Sequence, residues 1–489
     1  MKFRTEEKKQ KSRVEAIPVG GLAGAVFAFR RQKLTGKKYS VKKIGLALSL
    51  LAFLFSSLLA QSSMEEIAAK VSEYFRIQNE LGRFSGAVLI GYRGKIILVK
   101  GYGLANYELQ VPITPRTKFR LGSLTKAFTA AAILQLAEKS QLGLDDPVSR
   151  YLPDYPQAEK ITLHHLLTHT SGIPNFTALP VYPKFKLNPT TLDRTINLFR
   201  NLPLEFEPGT RFHYSNSNYI LLTAIIEKVS GKSYADYLRE NIFLPLNMLD
   251  TCYDDLNVII KHRARGYSLK DGLLVNAPYI DMSVPAGAGG LLSTVEDLFA
   301  WDQGLRSDRI LKADSREKMF TPFLEGYGYG WEIKKVDGRR IAGHGGGIEG
   351  FVSQFVRFLD EDLSLIILSN FDFAPLSQFT HDLISLISGK SIVWPKERKV
   401  VNLLPEIFDR LCGEYEIAPG SIIRIFRQGQ RFWAQVEGQR QMEILPESET
   451  RFFGRLIEAE INFSLDAEGR ANALTLLQGG KEIQARKIR

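Results

Sequence analysis

Residues 121–142 read LGSLTKAFTAAAILQLAEKSQL. The run is apolar over most of its length, the pattern of a long, mostly buried helix. Yet Lys126 stands at its head, three residues after Ser123. A charge facing a core is costly unless it is paired or its pKa moves. Either Lys126 lies on a solvated face, or it is held against Ser123 to act on it. Ser–x–x–Lys alone is common: it also occurs as Ser40–Lys43 and as Ser315–Lys318 in the charged run DSREKM. Only Ser123–Lys126 opens an apolar helix. A spacing of three puts both side chains on one helix face. The helix start adds unpaired N–H groups and a positive dipole end, which suit an oxyanion. Serine is a poor nucleophile until a nearby base takes its proton. Lysine can do so only when neutral, which desolvation against Phe128 and Ala131 favours.

Two further elements point the same way. Tyr–x–Asn occurs once, as Tyr214-Ser215-Asn216 in FHYSNSNY, before the apolar stretch ILLTAIIEKV. It reads as a loop entering a helix, where side chains can face a cleft; the plainer reading is a helix N-cap made by Asn216 or Ser217. His–x–Gly also occurs once, as His344-Gly345-Gly346 in GHGGGIEGF. Three glycines before a strand let a substrate backbone approach closely, and otherwise make a bulge or turn.

Working outward, residues 64–81 read as a helix and GAVLIGYRGKIILVKGYG as a hairpin about Tyr92-Arg93-Gly94. Residues 142–260 hold helix patterns broken by Pro and Gly loops. From Tyr327 onward three or four antiparallel strands are predicted, with a turn at Asp337-Gly338, and PLSQFTHDLISLI closes the region as a helix. The fold class is therefore α+β, an antiparallel sheet flanked by helices with an inserted helical region, spanning residues 61–390. A charged linker with two prolines covers 391–405. Residues 406–489 alternate as short strands, SIIRIFRQ, QRFWAQV, RFFGRL, EINFSLD, ALTLLQ and EIQARKI, a small all-β barrel or sandwich.

The hydrophobic share of 44% and charged share of 24% are those of a globular protein. Of the net charge of +11, residues 1–43 hold +10, from thirteen Lys/Arg and three Glu. The body is nearly neutral, which argues against a nucleic-acid surface. The leader ends in Lys42-Lys43 before IGLALSLLAFLFSSLLA at 44–60, the outline of a signal peptide or a retained anchor. Either places the body outside the cytoplasm, periplasmic or secreted. Forty-three residues is long for such a leader. A valine codon at Val41 can serve as a bacterial start, so residues 1–40 are expected to be an upstream translation artefact. Cys252 and Cys412 make no disulfide scaffold or zinc ribbon. Gly345–Gly347–Gly350 spells G-x-G-x-x-G but precedes a strand, and His165/His169 lack the glutamate of a zinc protease helix. No metal and no cofactor are called for.

Taken in order, Ser123–Lys126, Tyr214–Asn216 and His344–Gly346 resemble the serine β-lactamase and penicillin-binding superfamily. The likeness is to its class C branch, with D,D-carboxypeptidases, D-aminopeptidases and lactamase-like esterases. GYGLAN, DPVSRYLPDYP, HHLLTHTSGIP and PAGAGGLLSTVEDLFAW also look like family segments. The resemblance implies that Ser123 is acylated and that Lys126 and Tyr214 move its proton, either as base. It implies that Asn216 holds the acyl carbonyl side, with His344, Gly346 and Gly347 along the substrate, and that the Ser123 and Gly347 N–H groups form the oxyanion hole. The C-terminal module is similar to lipocalin-like appendages. Where lactamases carry Lys-Thr-Gly, this chain has His344-Gly345-Gly346, losing a cation and a hydroxyl that would anchor a substrate carboxylate. The expectation is an exported hydrolase of small esters, amides or peptides with weak β-lactamase activity. Its rivals are a D,D-carboxypeptidase or β-lactamase, and a penicillin-binding sensor that acylates without turnover.

Overall fold

The hairpin read at residues 86–103 is the entry to the main sheet. The structure, a computed structural model, describes residues 64–489 apart from 271, 397, 440, 457 and 480. The leader and the apolar stretch at 44–60 lie outside the described residues. Among those described, no helix is long and apolar enough to cross a membrane.

A helix over residues 64–80 (α1) leads into β1 (Gly86–Tyr92) and β2 (Lys95–Tyr102). Arg93 and Gly94 both have positive φ, 49° and 72°, as a two-residue turn matched to strand twist requires. Far along the chain come β3 (Glu332–Val336), β4 (Arg339–Ile348), β5 (Phe351–Phe358) and β6 (Leu363–Ser369). The sheet runs β3-β4-β5-β6-β1-β2, all antiparallel, with β1 seated against β6 so that Gly86 faces Ser369 and Ile90 faces Leu365. Gly345, Gly346 and Gly347 lie inside β4 and not ahead of it, because the chain extends to Ile348 before turning.

Alternation explains the layers. Val88, Ile90, Leu365 and Ile367 point to one face, into a core with Val71, Phe75, Phe379 and Leu383 from α1 and the closing helix Leu376–Ile387. Ala87, Leu89, Ile366 and Leu368 point to the other, into a larger core containing α2 (Thr125–Glu138) and α3 (Asn216–Ser230). Every residue of α2 from Thr125 to Leu136 is buried, so its lack of a polar face is the mark of a central helix. Phe128 stacks on Trp301 with ring centroids 4.4 Å apart.

The C-terminal strands close into an eight-stranded barrel, not a sandwich: the first, Gly413–Ala418, pairs with the last, Lys481–Lys487. Sequence reading missed that first strand and Met442–Pro446. Glu residues on the outward positions mask the former, and a terminal proline masks the latter. The barrel is filled by side chains, with Phe408 stacked on Phe432 at 4.1 Å. Cys252 and Cys412 are unbridged, and burial pushes each thiol up to about 11.

The barrel docks through Arg83, whose guanidinium pairs with Glu458 and donates from Nε to the Arg455 carbonyl at 3.0 Å. Removing one partner of a buried pair strands the other charge. We expect Arg83→Ala to lower unfolding free energy by about 3–5 kcal/mol. Arg340→Ala, at the exposed Asp360 pair, should cost under about 1 kcal/mol. Urea titration of the two variants checks the contrast.

Candidate active site

The backbone turns sharply just before Ser123. Gly122 has φ +51°, and a Cβ there would lie 2.9 Å from the Gly347 nitrogen, so glycine is needed on both counts. This approach brings β4 beside the single 3-10 turn, Gly122–Leu124, that opens α2. Ser123 stands at the cleft and Lys126, one turn on, is fully buried. The Lys126 amine lies 3.0 Å from Ser123 Oγ, 2.8 Å from Asn216 Oδ1 and 2.8 Å from the Ala288 carbonyl. Among its hydrogen-bond partners there is no carboxylate, and burial holds the amine well below the usual lysine range.

Tyr214 donates to Ser123 Oγ at 2.8 Å. Burial pushes its phenol well above the usual tyrosine value, opposed by its bond to Ser123, so it stays protonated. Asn216 opens α3, but neither it nor Ser217 caps the helix: the N-cap is Ser215, whose side chain makes no cap bond. Instead Asn175 Oδ1 accepts the Asn216 N–H at 3.1 Å, and Asn216 Nδ2 donates to Thr177 Oγ1 at 3.2 Å. With its amide nitrogen thus engaged, Asn216 turns its oxygen to Lys126.

Behind Tyr214 lies an aromatic box. The His169 ring is 4.2 Å from the Tyr214 ring, with Nδ1 accepting the Ser215 N–H at 3.2 Å. His165 instead closes a capping box with Thr162, so the two histidines serve separate hydrogen bonds. Tyr327 donates to His344 Nε2 at 2.9 Å, while His344 Nδ1 donates to the Gly345 carbonyl at 2.6 Å. The structure thus turns the predicted substrate-facing His344 inward. It is 4% exposed and held neutral by burial, with its pKa lowered to about 4. Gly346 likewise backs onto Leu121; a Cβ there would overlap the Leu121 carbonyl and the Ser353 hydroxyl. Gly347 does face the cleft, with open space where its Cβ would be.

The cleft has a volume of about 660 Å³ and carries Ser123 and Asn216 with Gly347. Among the described residues no lysine, arginine or histidine lines it; its charged groups there are Glu349, paired with Lys186, and Asp372. Sequence reasoning did not find Asn175, Thr177, Ala288, His169 or Tyr327. His169 and Ala288 lay within quoted segments, HHLLTHTSGIP and PAGAGGLLSTVEDLFAW, whereas the others had no local signature.

A serine hydroxyl between an amine and a phenol, on a sheet flanked by helices, defines a class, and comparison with known proteins agrees. Residues 67–387 match the family described as Beta-lactamase, and the chain belongs to it. Residues 397–487 match a domain of unknown function, DUF3471. The chain is similar to Penicillin-binding protein 4* of Bacillus subtilis, 32% identical over 84% of this chain and 96% of that one. Among solved structures it is similar to the octameric penicillin-binding protein homologue from Pyrococcus abyssi (TM-score 0.62, 28% identity, 86% of this chain, 99% of the other). It is also similar to a D-stereospecific amidohydrolase from Streptomyces sp. (TM-score 0.58, 26% identity, 66% and 99%).

Two outcomes follow from these positions. Gly346→Ala should cost about 1–3 kcal/mol by overpacking, whereas Gly347→Ala should melt within a degree or so of the parent while placing a methyl in the cleft. Because His344 is neutral when folded and titrates near 6.5 when unfolded, its contribution to stability is complete above about pH 6.5 and is lost as pH falls toward 4. Denaturant midpoints at pH 7 and 5 should differ more in the parent than in His344→Gln.

Proposed function

We propose that this β-lactamase-family protein hydrolyses small esters and amides through an acyl-enzyme on Ser123. The observation that carries the reading is the convergence on one hydroxyl of a buried amine at 3.0 Å and a phenol at 2.8 Å. A neutral Lys126 has two N–H groups, matched by Asn216 Oδ1 and the Ala288 carbonyl. Its lone pair then faces Ser123, so Lys126 is the base that takes the hydroxyl proton as Ser123 Oγ attacks the carbonyl carbon. Tyr214, kept protonated, is placed to pass a proton to the departing amine or alkoxide. Water then attacks the acyl carbonyl and gives a proton to the Tyr214 phenolate, while the Lys126 ammonium returns its proton to Ser123 Oγ as the acid is released. The N–H groups of Ser123 and Gly347, on touching segments, serve as the oxyanion hole, each donor worth on the order of 10²–10³ in rate.

The cleft sets the substrate class. A carboxylate beside the scissile bond, as in a β-lactam or a D-alanine terminus, meets no lining cation among the described residues, and His344 is buried and neutral. Neutral or ammonium-bearing substrates escape that demand, and amino acid amides are the first to test, given the amidohydrolase relative. The basic leader and apolar stretch at 44–60 support export of the body.

Fluorophosphonate should label the protein and fail to label Ser123→Ala. Tyr214→Phe should lower kcat/KM by about 10²–10⁴, and Lys126→Arg, locked in its protonated form, should lose at least as much. The acid limb of kcat/KM should fall well below the ordinary lysine value. Nitrocefin turnover far above that of p-nitrophenyl esters and D-amino acid p-nitroanilides would defeat the substrate reading.

A further inference from the structure

A second hollow of about 460 Å³ adjoins the cleft, sharing Ile280, Glu349 and Phe351 with it. Its polarity is opposite. Where the described lining of the cleft holds no cation, this hollow holds Arg120, Arg263 and Arg265, and the one acid described on its wall, Glu349, is taken by Lys186. Arg265 is engaged by Asn276 at 2.8 Å and by Glu108 at 3.5 Å. Arg120 and Arg263 are different. They share a single carboxylate, the fully buried Asp254, which accepts from Arg120 Nε and from Arg263 Nη1, each at 2.8 Å.

Two guanidiniums on one aspartate leave one positive charge uncompensated. They also leave donors uncommitted: among the described residues each arginine side chain makes one hydrogen bond to protein, although a guanidinium has five N–H groups. The pair is held in place by backbone. Residues 262–264 run beside Lys118, with Lys118 N–H donating to the His262 carbonyl and Ala264 N–H to the Lys118 carbonyl, both at 2.9 Å. Asp254 beneath fixes the planes of both forks. Partly exposed at 15% and 31%, the two side chains stay in reach of a ligand. Arg120 stands three residues before Ser123, a chain distance of at most roughly 11 Å.

We propose that Arg120 and Arg263 form a subsite for a carboxylate that the substrate carries away from the bond being cleaved. The proposal rests on the hydrolase reading above and refines its substrate: neutral at the reacting carbonyl, anionic at the remote end. The net single charge of the Arg–Asp–Arg group matches a monoanion better than a phosphate dianion. Planar forks match the two oxygens of a carboxylate. A substrate running from Ser123 past Ile280 and Phe351 meets the polarities in that order.

The test uses the full chain and two series of p-nitrophenyl esters of graded length, one ending in a carboxylate (glutarate, adipate, suberate), the other in a methyl group. The quantity read is the ratio of kcat/KM between matched pairs, in which losses from imperfect folding cancel. The ratio should reach about tenfold at one chain length, the size of one charge-assisted bond. It should fall to near unity in Arg263→Gln and recover in part in Arg263→Lys. A ratio near unity at every length, or a ratio untouched by Arg263→Gln, overturns the subsite. A separate arm needs no chemistry: suberate should raise the melting temperature of Ser123→Ala and not of Ser123→Ala/Arg263→Gln. If no ester is cleaved, the hydrolase reading fails and this arm alone decides the subsite. Inorganic phosphate stabilising more than suberate overturns the choice of carboxylate.

Discussion

The centre of the molecule is an amine with nowhere to put a charge. Lys126 is fully buried, and its three polar neighbours are a hydroxyl, an amide oxygen and a peptide carbonyl. An isolated ammonium in such a place is so unfavourable that the group sheds its proton instead. The scaffold imposes this by closing three distant stretches around one nitrogen: the start of α2, the start of α3 and the PAGAGG turn before β-strand Leu291–Ser293. Glycine at 122 and 346 lets the sheet come close enough to bury the amine completely. A basic amine beside Ser123 is thus a product of packing, not of an ion pair.

The replacement of a cation by His344 has a structural side as well. In β4 the imidazole turns away from the cleft and becomes part of the support under Tyr214, with Tyr327 and His169. Positive charge near the cleft lies farther along, in the arginine pair over Asp254. The proposed subsite would place recognition away from the reacting carbonyl, and the box of neutral rings holds the phenol in its protonated form.

Much of this was legible in the chain. The β1–β2 hairpin showed because Arg-Gly sits between two β-branched runs, and α2 because an apolar run of that length with a Ser–x–x–Lys head has few other uses. Ser123 and Lys126 stood out by spacing, Tyr214 and Asn216 through the family resemblance, and the structure brings all four together. The direction of His344 was not legible, since alternation in a glycine run leaves too few side chains to fix which face is in. Asn175 and Thr177 were hidden because each meets Asn216 from a loop about forty residues away with no pattern of its own. The barrel's first strand was hidden by outward glutamates that a two-sided core would never tolerate but a small barrel does.

The place of β1 in the sheet bears on how the chain is made. Ser369 donates to the Ser85 carbonyl across 284 residues, and β1 is flanked by its own hairpin partner on one side and by β6 on the other. At ribosomal speeds of about 5–20 residues per second, the strand waits roughly 15 to 60 seconds for that second neighbour to exist. Until then its apolar row and open backbone edge invite any passing β-segment. The nascent protein therefore depends, for most of its synthesis, on something other than its own sheet to keep that row covered.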